Sequence, residues 1–172
     1  ISTGVGALVV AFGSLVALLK SAATVGADFQ QALSGLEAIS GATADEMGVM
    51  STQARELGAS TAYTAIQVVE LQTELAKLGF STKGITDSTP AILDLASALD
   101  VDLANAAALA GSTVRAFGLE TEDTQRVVDV LSLSASSVAL DFESLKESFK
   151  NVAPAARAVG VSVEQTAALL GV

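Results

Sequence analysis

Leu78-Gly79-Phe80-Ser81 and, one unit further on, Leu99-Asp100-Val101-Asp102 share a pattern: an apolar residue, Gly or Asp, a second apolar residue, then Ser or Asp. Each reads as one helix ending and the next beginning. Gly enters the left-handed region past a helix end without a Cβ penalty, and Asp tolerates it better than most residues. The apolar residue after it can staple the turn, and the Ser or Asp that follows can cap the new helix by accepting an orphan backbone N–H.

The same signature recurs as Leu57-Gly58-Ala59-Ser60, Phe117-Gly118-Leu119-Glu120, Leu140-Asp141-Phe142-Glu143 and Val159-Gly160-Val161-Ser162, at intervals of 18 to 23 residues. Three capping boxes support the starts: Thr43 with Glu46, Thr64 with Gln67, and Ser162 with Gln165. Apolar stripes at helical spacing run through Val68, Leu71, Leu75 and Leu78, and through Val127, Val130 and Leu131. No sustained alternation of β-branched or aromatic residues with polar ones signals a strand. The pattern predicts an all-α chain, an array of about six to eight helices of roughly 12 to 18 residues with tight turns. Of the two prolines, Pro90 is expected to open a helix at its first position, and Pro154 to interrupt a helix beginning near Asp141.

Composition agrees. Hydrophobic residues make up 51% of the 172, but aromatics only 4%. Much of the apolar content is Ala, the best helix former, so thin helix–helix contacts and extended or multimeric assembly are expected over a dense globular core. Net charge is −10, and nine basic residues spread over the chain cannot neutralise many phosphates. Sequence-specific nucleic-acid binding is therefore not expected. Cys is absent, so no disulfide or thiolate site exists and the redox compartment cannot be read. The chain starts at Ile1 and ends inside a helical pattern at Val172, which predicts a longer parent protein.

Residues 4–19 carry no charge, and as a helix would reach about 24 Å, somewhat short of a hydrocarbon core of about 30 Å. Gly13, Ala17 and Ser21 make a small-residue ridge suited to close helix packing. Three readings stand for this run: a helix packed in an oligomer, a membrane-inserting segment, or a processed targeting segment. The expected division is an apolar Gly/Ala-rich helix over 1–27 and a helical region over 28–172.

No enzyme emerges. His and Cys are absent, which removes the commonest general base, the thiolate nucleophile and the usual zinc ligands. The densest carboxylates, Asp45-Glu46 and Glu120 through Asp123, fall in first turns of predicted helices, where the dipole favours negative charge, and no EF-hand spacing accompanies them. Ser132, Ser134, Ser136 and Ser137 have no base to activate them. Arg55 and Arg115 are read as cations at helix C-termini, and Tyr63 as the anchor of a turn. No catalytic, cofactor-binding or metal residue is expected.

From Asp28 to Val172 the chain resembles the core region of phage tail tape measure proteins of long-tailed phages and prophages. The likeness rests on Phe29-Gln30-Gln31-Ala32-Leu33, on Ala54-Arg55-Glu56-Leu57-Gly58-Ala59-Ser60-Thr61, and on Glu74-Leu75-Ala76-Lys77-Leu78-Gly79-Phe80-Ser81. It continues in Gly111-Ser112-Thr113-Val114-Arg115-Ala116-Phe117-Gly118-Leu119, in Val152-Ala153-Pro154-Ala155-Ala156, and in Gly160-Val161-Ser162-Val163-Glu164-Gln165-Thr166-Ala167. The resemblance implies a structural protein in the lumen of the tail tube. Its length would set the length of the tube, and it would leave the tail during infection to aid genome passage across the host envelope. It also implies a homo-oligomer, tail tube and tail tip partners, and contact of residues 4–19 with the host inner membrane. The repeated turns imply a folded array in this region and not one uninterrupted rod. Two other classes are compatible with the residues: an α-solenoid that binds a protein partner, and a membrane-active or pore-forming helical protein.

Overall fold

A computed structural model describes residues 24–137 and 142–170. Among these residues eight α-helices follow one another: α1 (24–40), α2 (Ala44–Ser60), α3 (Ala65–Lys77), α4 (Thr82–Leu99), α5 (Leu103–Phe117), α6 (Thr124–Ser137), α7 (Phe142–Ala158) and α8 (Val163–Leu169). A 3-10 turn, Thr121–Asp123, precedes α6, and no strand occurs among the described residues. The uncharged run 4–19 and the turn through Leu140 and Asp141 lie outside the described residues.

The turn chemistry explains this order. Gly79, Asp100, Gly118 and Gly160 all take positive φ, between 53° and 84°. In each case the next residue donates its N–H five positions back: Phe80 to Leu75, Val101 to Ala96, Leu119 to Val114 and Val161 to Ala156, at 2.9–3.1 Å. That is the Schellman closure, which satisfies a carbonyl the helix end would leave orphaned. At three of the four turns the residue after it caps the new helix: Ser81 accepts from the Gly84 N–H, Asp102 from Asn105 and Ser162 from Gln165. All three capping boxes form in both directions.

Four expectations change. The Leu57-Gly58-Ala59-Ser60 signature is not a glycine C-cap, because α2 runs through it to Ser60, and Thr61 closes the helix on the Leu57 carbonyl. Gly58 serves a close approach instead: a Cβ there would lie 2.4 Å from the Ala65 nitrogen at the start of α3. Arg55 is therefore not in the last turn of its helix, and its guanidinium lies 5.1 Å over the Phe29 ring of α1.

Pro90 does not open a helix; it sits inside α4, which Ser81 caps nine residues earlier. A proline here leaves the carbonyl four residues back, on Thr86, without its helical donor. Gln53 of α2 supplies one, donating from Nε2 to the Thr86 oxygen at 2.8 Å. Gln53 in turn accepts from the buried Gln72 of α3 at 3.1 Å, and Gln72 also donates to the Met50 carbonyl. Pro154 likewise lies within α7, which continues past it to Ala158.

From α2 onward, every substantial contact joins a helix to its neighbour or to the one after: α2 packs on α3 and α4, α4 on α5 and α6, α5 on α7, and α6 on α8. Contacts of this short reach are those of successive units, each burying its stripe on nearby ones. Despite the alanine content the core is continuous. Leu71, Leu75, Ile92, Leu95, Leu109, Leu131, Leu145 and Phe149 are all fully buried. Each such side chain contributes about 1.5–3 kcal/mol of transfer free energy. Buried alanines, Ala54, Ala106, Ala107, Ala110 and Ala153 among them, bring the helices close between these anchors.

Candidate interaction surface

The residues with chemical potential are occupied by structural work. Asp45 and Glu46 lie in the first turn of α2. Glu46 completes the capping box with Thr43 and also accepts from the Thr82 hydroxyl of α4, and these hydrogen bonds, Thr82 first, hold its carboxyl below the usual range. Glu122 and Asp123 open the 3-10 turn. Ser134 is buried in α6, whereas the side chains of Ser136 and Ser137 lie outside the described residues. Tyr63 is half-buried in the α2–α3 turn, and its hydroxyl lies 3.2 Å from Ser97 Oγ of α4, so it anchors that turn as the sequence suggests. Among the described residues no group of three carboxylates could hold a metal ion. No helix among them is long and apolar enough to cross a membrane.

Arg115 is in the last turn of α5, as expected, and also reaches across to donate to the Leu78 carbonyl at the end of α3, at 3.1 Å. One cation thus serves two helix C-termini. Arg126 of α6 pairs through Nη2 with Glu164 of α8 at 2.9 Å and through Nη1 with Asp123 at 3.5 Å. The guanidinium holds the Glu164 carboxyl at about 2.

Between these fixtures run surface grooves. One between α1 and α3, about 460 Å³, is lined by Asp28, Glu70 and Glu74 together with Lys77. Another between α5 and α7, about 400 Å³, has Leu109 and Phe149 as its floor and Arg115, Lys146 and Lys150 at its rim. Sequence reading missed this second groove. The spacing of Lys146 and Lys150 puts them on one helix face, but only the packing of α5 on α7 brings Arg115 to them.

Residues 51–172 match the family model described as phage-related minor tail protein. Over 148 residues, 86% of this chain, the sequence is 40% identical to the tape measure protein of Pneumococcus phage Dp-1. It is 35% identical over 148 residues, 85% of the chain, to the probable tape measure protein of Escherichia phage P2. The chain spans only 13% and 18% of the length of those two proteins. No solved structure matches. With a family model covering most of its residues, the chain belongs to the phage-related minor tail protein family, and tape measure proteins are among its relatives.

Proposed function

We propose that this chain is a folded segment of a tail tape measure protein and has a structural, non-enzymatic role in building the tail. The 40% identity to a tape measure protein over most of the chain supports this reading most directly. The residues fit it: without His or Cys, the chain has neither the commonest general base nor a thiolate nucleophile. In the parent protein the segment would lie with the tape measure in the lumen of the tail tube, among the other tail components. There the parent would set tube length.

The array refines what this segment adds to that length. As one straight helix, residues 24–170 would reach about 220 Å, whereas a compact body of this size is about 40 Å across. Straightening would expose a continuous core, and each large side chain withdrawn from it would forfeit about 1.5–3 kcal/mol. The segment therefore contributes its folded dimension and not its contour length. An in-frame deletion of residues 24–170 from the parent gene, with tails measured by electron microscopy, tests this. Tails shortened by about 40 Å or less agree with it, and tails shortened by about 220 Å mean that the segment is drawn out as ruler. Failure to form tails would assign it to assembly initiation.

The parent would also aid genome passage into the host, with the uncharged run 4–19 as its membrane-seeking part. A peptide of that run that neither binds nor permeabilises liposomes would remove this second role.

A further inference from the structure

The α5–α7 groove differs in charge from four other grooves of the described surface. The chain carries nineteen acidic residues and nine basic ones, yet three of the nine line this groove and no carboxylate does. Those four other grooves of the described residues include carboxylates: Asp28 with Glu70 and Glu74, Glu70 with Asp102, Asp45 with Glu56, and Glu46 with Asp87. The local carboxylate partners of the two lysines hold them weakly. Lys146 pairs with Glu143 at 3.2 Å and Lys150 with Glu147 at 3.4 Å, in exposed pairs one helical turn apart. Pairs of that kind are readily exchanged for a better-placed carboxylate.

The wall on the α5 side is equally distinctive. Ala108, Ser112 and Ala116 follow one another at four-residue spacing, and the first two are exposed. Small side chains in such a row let another helix approach closely. Below them the groove is floored by Leu109 and Phe149, and its volume suits a few inserted apolar side chains rather than a whole helix. The shape calls for a helix lying along the groove, with one apolar face down and anionic flanks against Arg115, Lys146 and Lys150.

We propose that the α5–α7 groove is a docking site for an acidic amphipathic helix of a protein partner. Apolar residues at i, i+3, i+4 and i+7 of that helix fill the groove. Its Asp and Glu side chains meet the cationic rim, which gives selectivity and speeds encounter on a chain that otherwise repels acidic proteins.

The test uses the 172-residue chain and two fluorescent peptides of about five helical turns, with leucines in that spacing and either Glu or Lys elsewhere. By fluorescence anisotropy at low salt the Glu peptide binds at least about tenfold more tightly than the Lys peptide, and added salt weakens it. Lys146→Glu with Lys150→Glu lowers Glu-peptide binding by about tenfold or more. Ser112→Trp, which fills the groove from an exposed position, abolishes binding while circular dichroism shows an unchanged fold. Equal binding of both peptides, no binding at low salt, or indifference to both sets of substitutions would overturn the proposal. So would displacement of the Glu peptide by anionic vesicles, which would make the occupant a lipid surface. Sedimentation showing that the chain dimerises through the groove, and that charge reversal abolishes the dimer, would replace the partner helix by a second copy.

Discussion

Two helices of this array carry an internal proline, and their surroundings treat it differently. In α4, Pro90 frees the carbonyl of half-buried Thr86, and Gln53 from α2 donates to it, backed by the buried Gln72 of α3. In α7, Pro154 and the residue four positions back, Lys150, are both exposed, so water is available to the freed carbonyl. The contrast extends to how each end of the array is tied. A polar network inside the packing links α2, α3 and α4, whereas α6 and α8 share an ion pair whose side chains remain about half exposed. Buried polar groups must find their partners or cost stability, so the first arrangement favours one register, although Gln72 Oε1 finds no protein partner within it. The second does so loosely, because water competes for both charges.

The widest test of this contrast is to empty the core at each end. Ile92→Ala in α4 and Leu145→Ala in α7, both fully buried, are each expected to cost about 2–5 kcal/mol. Urea denaturation followed by circular dichroism measures this. Equal losses with one shared transition would mean that the tighter network does not make its end a separate folding unit.

Next comes the network itself. Gln53→Leu removes the donor to Thr86 and one partner of Gln72, and is expected to cost about 1–3 kcal/mol. In a Pro90→Ala background the new N–H can take the Thr86 carbonyl, so the same substitution should cost measurably less. A double-mutant cycle that finds no coupling between positions 53 and 90 would break the link drawn here. Gly58→Ala probes a neighbouring contact. Its Cβ meets backbone of α3 at 2.4 Å, which must shift, and a cost of about 1–3 kcal/mol is expected in the melting transition.

The smallest effect belongs to the loose end. Arg126→Ala should cost less than about 1 kcal/mol, because both partners are well exposed. Its pH dependence has a definite sign. The Glu164 carboxyl is held at about 2 against a usual 4.5, so the pairing contributes fully above pH 4.5. It is then lost as pH falls from there towards 2. Stability of the parent and of Arg126→Ala should converge across that window, and added salt should narrow the gap at neutral pH.

The local chemistry of this fold was legible in the sequence. Capping boxes such as Thr64 with Gln67, and turns such as Leu78-Gly79-Phe80-Ser81, act over a few residues, so reading them needs no tertiary knowledge. What escaped reading depends on residues far apart in the chain. Pro90 looked like a helix start because its compensating donor, Gln53, is supplied from another helix. Gly58 looked like a cap because its real constraint is the backbone of Ala65. The basic groove was invisible for the same reason, since Arg115 reaches the two lysines of α7 only when α5 and α7 pack.

The fused turns have a consequence for how such a protein changes over generations. One helix closes with a Schellman bond, and at Ser81, Asp102 and Ser162 the next opens one residue later, so a unit of about twenty residues carries its own punctuation. Substantial contacts from α2 onward reach no further than two helices along the chain. A gene for such an array can be lengthened or trimmed by whole cassettes, each splice asking only its nearest neighbours to adjust. Insertions of a few residues, by contrast, would break a turn that has no slack. Descent by cassette would leave chains that differ in steps of one helix, with the joints preserved and the count free to vary.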